Sequence, residues 1–213
     1  MKKGRLLILG ASGHGKVAGD CAEAAGLWSE LVFFDDRCPE LKACGPWPVA
    51  GTGESLLSQA RPGDQAFVAI GHAETRLNLL QRMASAGLEI ATIIHPSAVV
   101  SARATVEAGC LVVAGAVVNI GAFLGLGCIV NTGATVDHDC ILAEGVHVCP
   151  GAHLAGDVQI GRGTWVGIGS TLCQGLRVGR GVLIGAGSAV VDPVEDWQTV
   201  AGVPARPLNA KNS

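Results

Sequence analysis

The tripeptide Asp137-His138-Asp139 sets an imidazole between two carboxylates. A carboxylate beside a histidine orients the ring and raises its pKa, which suits it to take a proton from an attacking nucleophile as a general base. A single histidine in an arbitrary chain is more often a solvated surface side chain, so the triplet draws its weight from its surroundings. His147 and His153 follow, and three histidines so close together raise the alternative of a zinc site. A second cluster lies near the other end, where Gly10-Ala11-Ser12-Gly13-His14-Gly15 follows the apolar run Leu6-Leu7-Ile8-Leu9. Glycines at a strand-to-helix turn let backbone amides approach a diphosphate at a helix N-terminus. The acidic pair Asp35-Asp36 ends a second apolar run and can accept hydrogen bonds from a ribose or a base; taken alone, it reads first as a solvated turn. The order G-x-x-G-x-G differs from the dinucleotide fingerprint G-x-G-x-x-G, which argues against NAD.

The elements that carry these residues follow two different periods. Residues 1–94 alternate strand and helix patterns, so a Rossmann-like α/β domain with a small parallel sheet is expected. Its strands are Leu6–Leu9, Leu31–Phe34 and Ala66–Ile70, and its helices run from the glycine turn to about Gly26 and from Glu74 to Ala86. Residues 95–213 obey a six-residue period instead. Starting at Ile94 and ending at Val190, seventeen hexads each begin with Val, Ile or Leu, without an insertion. The residue three positions later is usually glycine and the next one small, a pattern that neither a helix nor an ordinary strand produces. Its structural reading is a solenoid that buries one aliphatic per repeat and turns at the glycine. Between Gly109 and Gly187 the glycine position occurs fourteen times, and only Asp139 and Asp157 depart from it. Aspartate tolerates left-handed backbone better than most residues, so each can be a plain substitute. Asp139 invites more, because it adjoins His138.

Composition narrows the function classes. Of 213 residues 31 are glycine, none is tyrosine and 15% are charged, which suits tight repeats. A net charge of -3 with no Lys/Arg cluster offers no field for nucleic acid. The uncharged run Ala108–Val130 is long enough to pass for a membrane span. Its six-residue period makes it coils whose outer faces are also apolar, so burial against a neighbouring subunit is expected rather than membrane insertion. The eight cysteines contain no CxxC pair and read as reduced thiols. The first residues carry no signal-peptide pattern, so a cytoplasmic protein is expected.

The segment Asn131-Thr132-Gly133-Ala134-Thr135-Val136-Asp137-His138-Asp139-Cys140, with His147 and Pro150-Gly151-Ala152-His153-Leu154, resembles the active-site region of the PglD- and NeuD-type hexapeptide-repeat sugar acetyltransferases. With the glycine-rich first half and the hexads, the resemblance covers nearly the whole chain. It implies a left-handed parallel β-helix of three hexads per coil behind a nucleotide-sugar domain, a homotrimer, acetyl-CoA as co-substrate and no metal. His138 matches the catalytic base and Asp139 an acidic neighbour, glutamate in some members. His147, Gly156, Ile168 and Ala186 match acetyl-CoA-binding positions, Gly156 through its backbone amide, and Ala201–Pro207 resembles a loop beside that site. Ser12, Gly13, His14, Asp35, Asp36 and Gly71 match positions that bind the nucleotide sugar. The implied reaction is direct acetyl transfer to the C4 amine of a nucleotide-linked 4-amino-4,6-dideoxyhexose in bacterial-type glycan biosynthesis. UDP, GDP and dTDP are not distinguished. Sialic acid O-acetylation is the near alternative; a metalloenzyme of the γ-carbonic-anhydrase kind and a non-catalytic nucleotide-sugar scaffold are the distant ones.

Overall fold

The computed structural model describes residues 3–208. Residues up to Pro96 form one compact unit and those from Ser97 another. In the first unit β1 (Leu6–Leu9) lies at the centre of a six-stranded sheet, with all four residues buried. A continuous apolar run fits a strand covered on both faces of a parallel sheet. β2 (Leu31–Phe34) and β5 (Gln65–Val68) flank β1 in parallel register. β4 (Trp47–Gly51) pairs beyond β2, β3 (Ala43–Cys44) closes that edge antiparallel, and β6 (Glu89–Ile90) closes the other. Helices α1 (Gly13–Ala25), α2 (Gly53–Gln59) and α3 (Ala73–Ser85) connect them. The chain passes from β1 to β2 on one side and returns to β5 on the other, so a topological switch lies at the C-terminal ends of β1 and β5, where ligands of such sheets bind.

The second unit is a parallel β-helix of the left-handed type. Each hexad contributes a two-residue strand, and strands pair with those eighteen residues on, as Val117 with Thr135 and Thr135 with His153. The first face runs from Leu111–Val112 to Leu183–Ile184 and is extended by Thr199–Ala201. The second face runs from Val99–Val100 to Ala189–Val190 and the third from Thr105–Val106 to Arg177–Val178. The hexad aliphatics from Val112 to Ile184 fill the prism at 4% exposure or less, and small residues such as Ala134 and Cys140 sit between them at 0%. All fourteen glycine-rule positions are left-handed, with φ between 59° and 75°, Asp139 and Asp157 included. The glycine rule is therefore a corner rule: a side chain there strains the backbone.

Within the uncharged run, Leu111 and Ile129 stand at the outward strand position and are 0% and 1% exposed, whereas the outward Val117 and Phe123 are half-buried and Ile120 is 51% exposed. Among the described residues no helix is long and apolar enough to cross a membrane.

Candidate active site

His138 stands on the corner between the second and third faces, after strand Thr135–Val136 and before Ile141–Leu142. Its ring is held from one side. Nδ1 lies 2.9 Å from Asp139 Oδ2, and the side chain is 56% exposed. The backbone is set by Asp137, whose Oδ1 accepts from the His138 amide at 2.7 Å and from Asn119 Nδ2, in the preceding coil, at 2.8 Å. Those bonds keep the Asp137 carboxyl below its ordinary range, the His138 amide first and Asn119 second. Hydrogen bonding to Asp139 raises His138 above its ordinary 6.5, with the charges of Asp137, Asp139 and Asp157 adding to it. With Nδ1 engaged, Nε2 is the ring nitrogen left to accept a proton from a substrate.

The coils above and below make room for this pair. A Cβ on Gly121 would overlap Asp139 Oδ1, and one on Gly156 would overlap Nε2 and Cε1 of His138. The imidazole therefore lies directly over Gly156. The amides on either side of Gly156 are bonded, Ala155 to Leu172 O at 3.1 Å and Asp157 to His138 O at 2.9 Å. Its own has no acceptor among the described residues, which leaves a donor beside the ring. The neighbouring Cys140 is buried and its Sγ donates to Ala155 O at 3.1 Å; burial raises the thiol, so it is no standing nucleophile.

The other residues matched to acetyl-CoA lie elsewhere on the prism. His147 is on the first face, only 5% exposed, with Nε2 3.0 Å from Asn131 Nδ2 and its ring 4.3 Å from that of Trp165. His153, which is not among the matched positions, is on the second face, exposed, 2.9 Å from the Thr135 hydroxyl. Ile168 and Ala186 stack at the corner between first and second faces, where Gly187 N donates to Ile168 O at 2.8 Å. A single chain thus splits the matched set between two corners and a face.

In the first unit, the residues matched to the nucleotide sugar gather at the switch point. Ser12 and Gly13 open α1 in exposed positions, and the first turn of α1 carries no acidic residue. Asp35 is more structural than its sequence position suggests. It accepts from the Ala11 amide at 2.8 Å and from Arg37 Nε at 2.7 Å, and the Arg37 guanidinium holds its carboxyl far below the usual range. Asp36 accepts from the Gly53 amide at 2.9 Å. Both still line a cavity of about 410 Å³ with Gly10, Glu54, Ile70 and Arg82. Gly71 is fixed through its carbonyl, which accepts from the buried Arg76 at 2.7 Å.

Known proteins share both halves of this arrangement. The family model of the PglD N-terminal domain matches residues 5–83. A UDP-N-acetylbacillosamine N-acetyltransferase of Bacillus subtilis (strain 168) is 33% identical over 106 residues, 49% of this chain and 49% of that protein, so the match spans about half its length. The GDP-perosamine N-acetyl transferase from Caulobacter crescentus, in complex with CoA and GDP-perosamine, is 33% identical, covers 96% of this chain and 97% of its own, and superposes with a TM-score of 0.90. The acetyltransferase domain of PglB from Neisseria gonorrhoeae FA1090, in complex with acetyl coenzyme A, is 42% identical over 98% of this chain and 100% of its own, TM-score 0.93. The chain belongs to the PglD-type sugar acetyltransferases.

Three arginines of the second unit, Arg162, Arg180 and Arg206, are ion-paired. Arg162 meets Glu144 at 2.8 Å, Arg180 meets Asp196 at 2.9 Å and Arg206 meets Asp192 at 3.1 Å. All are exposed pairs, which hold their partners weakly. Asn119, Asn131, Arg37 and Arg76 position site residues but carry no sequence signal, since each is a common residue type at an unremarked spacing.

His14 yields a stability prediction. Burial, then the charge of Arg76, pushes its pKa from 6.5 down to about 4. The unfolded chain takes up a proton near pH 6.5 and the folded one only near 4, so stability is full above that window. Within it, stability falls as pH drops, by up to about 1.4 kcal/mol per pH unit. Thermal melts at pH 7 and 5 should show a smaller acid loss for His14→Gln than for wild type; equal losses contradict this.

Proposed function

We propose that the chain transfers the acetyl group of acetyl-CoA to the C4 amine of a nucleotide-linked 4-amino-4,6-dideoxyhexose, with His138 as general base. The observation that carries this reading is the imidazole fixed by Asp139 over Gly156, with Nε2 unengaged beside a free amide. The amine attacks the thioester carbonyl, forming the N–C bond and a tetrahedral oxyanion that the Gly156 amide stabilises. Nε2 takes the proton that the nitrogen sheds. The C–S bond breaks, and the imidazolium returns that proton to the departing thiolate, giving amide and CoA. No enzyme nucleophile is required, in keeping with the inert Cys140 thiol.

The first unit supplies the nucleotide site: the open N-terminus of α1 suits a diphosphate, and the cavity at Asp35 and Asp36 suits the nucleoside. The Caulobacter and Bacillus relatives, named for amino sugars carried on GDP and UDP, support the acceptor class. Ile168 and Ala186 lie on a different corner from His138, which supports a homotrimer in which acetyl-CoA lies between adjacent prisms. The test is thiol release from acetyl-CoA with a panel of UDP-, GDP- and dTDP-linked 4-amino sugars. Turnover of at least one is expected; failure of all, with turnover of free sialic acid, overturns the acceptor.

A further inference from the structure

Of the fourteen left-handed corner positions, twelve are glycine, and every one at the two corners away from His138 is among them. The two exceptions stack on the His138 corner in successive coils, Asp139 at φ 59° and, eighteen residues on, Asp157 at φ 59°. Asp139 has an evident task in its bond to the ring. Asp157 has none of that kind: it is exposed, and its carboxylate makes no hydrogen bond or ion pair among the described residues. Glycine would relieve the backbone strain at no loss of contact. What Asp157 does have is position. Its amide donates to His138 O at 2.9 Å, and the preceding Gly156 lies under the ring on the Nε2 side.

We infer that Asp157 is a positioning residue, a second anionic support for the imidazolium that forms at His138, acting from the next coil while Asp139 acts from the same turn. The inference rests on the reading of His138 as the base. The charged groups around the ring are Asp137, Asp139 and Asp157, all anionic, and each favours the protonated form. Asp139 fixes Nδ1, whereas Asp157 directly follows Gly156, the residue that lies against Nε2, where the proton arrives. Retaining a strained, unbonded side chain at a corner is a stability loss exchanged for function.

The test compares Asp157→Asn, Asp157→Gly and Asp157→Glu in the full chain. With Asn or Gly, kcat/KM for the amino sugar should fall roughly three- to tenfold and its acid limb should move to lower pH. The KM for acetyl-CoA should hold, and the Gly variant should melt at or above the wild-type temperature. Asp157→Glu should keep the limb and most of the rate. An unmoved limb and rate in the Asn variant overturns the inference, as does a Gly variant that melts early and loses rate equally at every pH. If His138→Ala is inactive while Asp157→Asn is normal, only this inference fails; if His138→Ala is also normal, the reading of the base fails with it.

Discussion

Replacing His138 with alanine is expected to lower kcat by about 10²- to 10⁴-fold, the range that a positioned general base contributes. The KM for acetyl-CoA and the melting temperature should stay near wild type. The ring is more than half exposed and its contacts are with the acidic neighbour and the glycine below, so its loss removes little packing. A residual rate should remain, because holding amine and thioester together lowers the barrier without a base. Asp139 and Asp157, stacked one coil apart on that corner, would then lack the imidazole that their charges favour in its protonated form, so a small rise in the acceptor's KM is also expected through altered local charge. Initial rates of thiol release against both substrates check this. A loss under tenfold would mean that the amine sheds its proton without the ring.

Gly156→Ala should be nearly as damaging, at about 10²-fold in kcat, the scale on which an ångström of misplacement acts. The three atoms nearest to an added methyl all belong to the His138 ring, so the ring must swing away and loosen its bond to Asp139. The corner is not left-handed at Gly156, so alanine strains no backbone there. The fold should therefore survive, with a melting temperature close to wild type. The two substitutions should also fail to add: with His138 already alanine, the methyl at 156 meets nothing it can displace, and the double variant should be no slower than His138→Ala alone. An additive double variant would show that Gly156 acts through its amide or through acetyl-CoA, independent of the ring.

The solenoid was legible because its rule is local and repeated: one aliphatic inward and one left-handed corner in every six residues. Asp139 stood out for the same reason, as a break in a rule that has few breaks. The first unit was read less completely. The Ala43–Cys44 and Trp47–Gly51 hairpin sits among Pro39, Pro46 and Pro48, which erase the alternation that marks strands, and α2 is too short to show a helical period. Arg76 occupies the buried face of α3 as an arginine, which a hydrophobic pattern assigns to water. Gly156 matched a binding position through its amide, but its second task, making room for an imidazole, needs the eighteen-residue stacking that only coordinates display. Asp35 and Asp36 looked like ligand acceptors, and the amides of Ala11 and Gly53 engage part of that capacity.

The central claim is that His138 accepts the proton and that Asp139 sets its affinity for it. A base must be neutral to act, so kcat/KM falls as pH drops through its pKa, and Asp139 lifts that pKa above 6.5. The direct measurement is the pH dependence of kcat/KM for wild type and Asp139→Asn with the same amino-sugar acceptor, whose own ionisation is common to both. The account predicts that the acid limb of the variant moves to lower pH, toward the ordinary histidine value, with a reduced plateau. A limb that stays where it is in the wild type would contradict it.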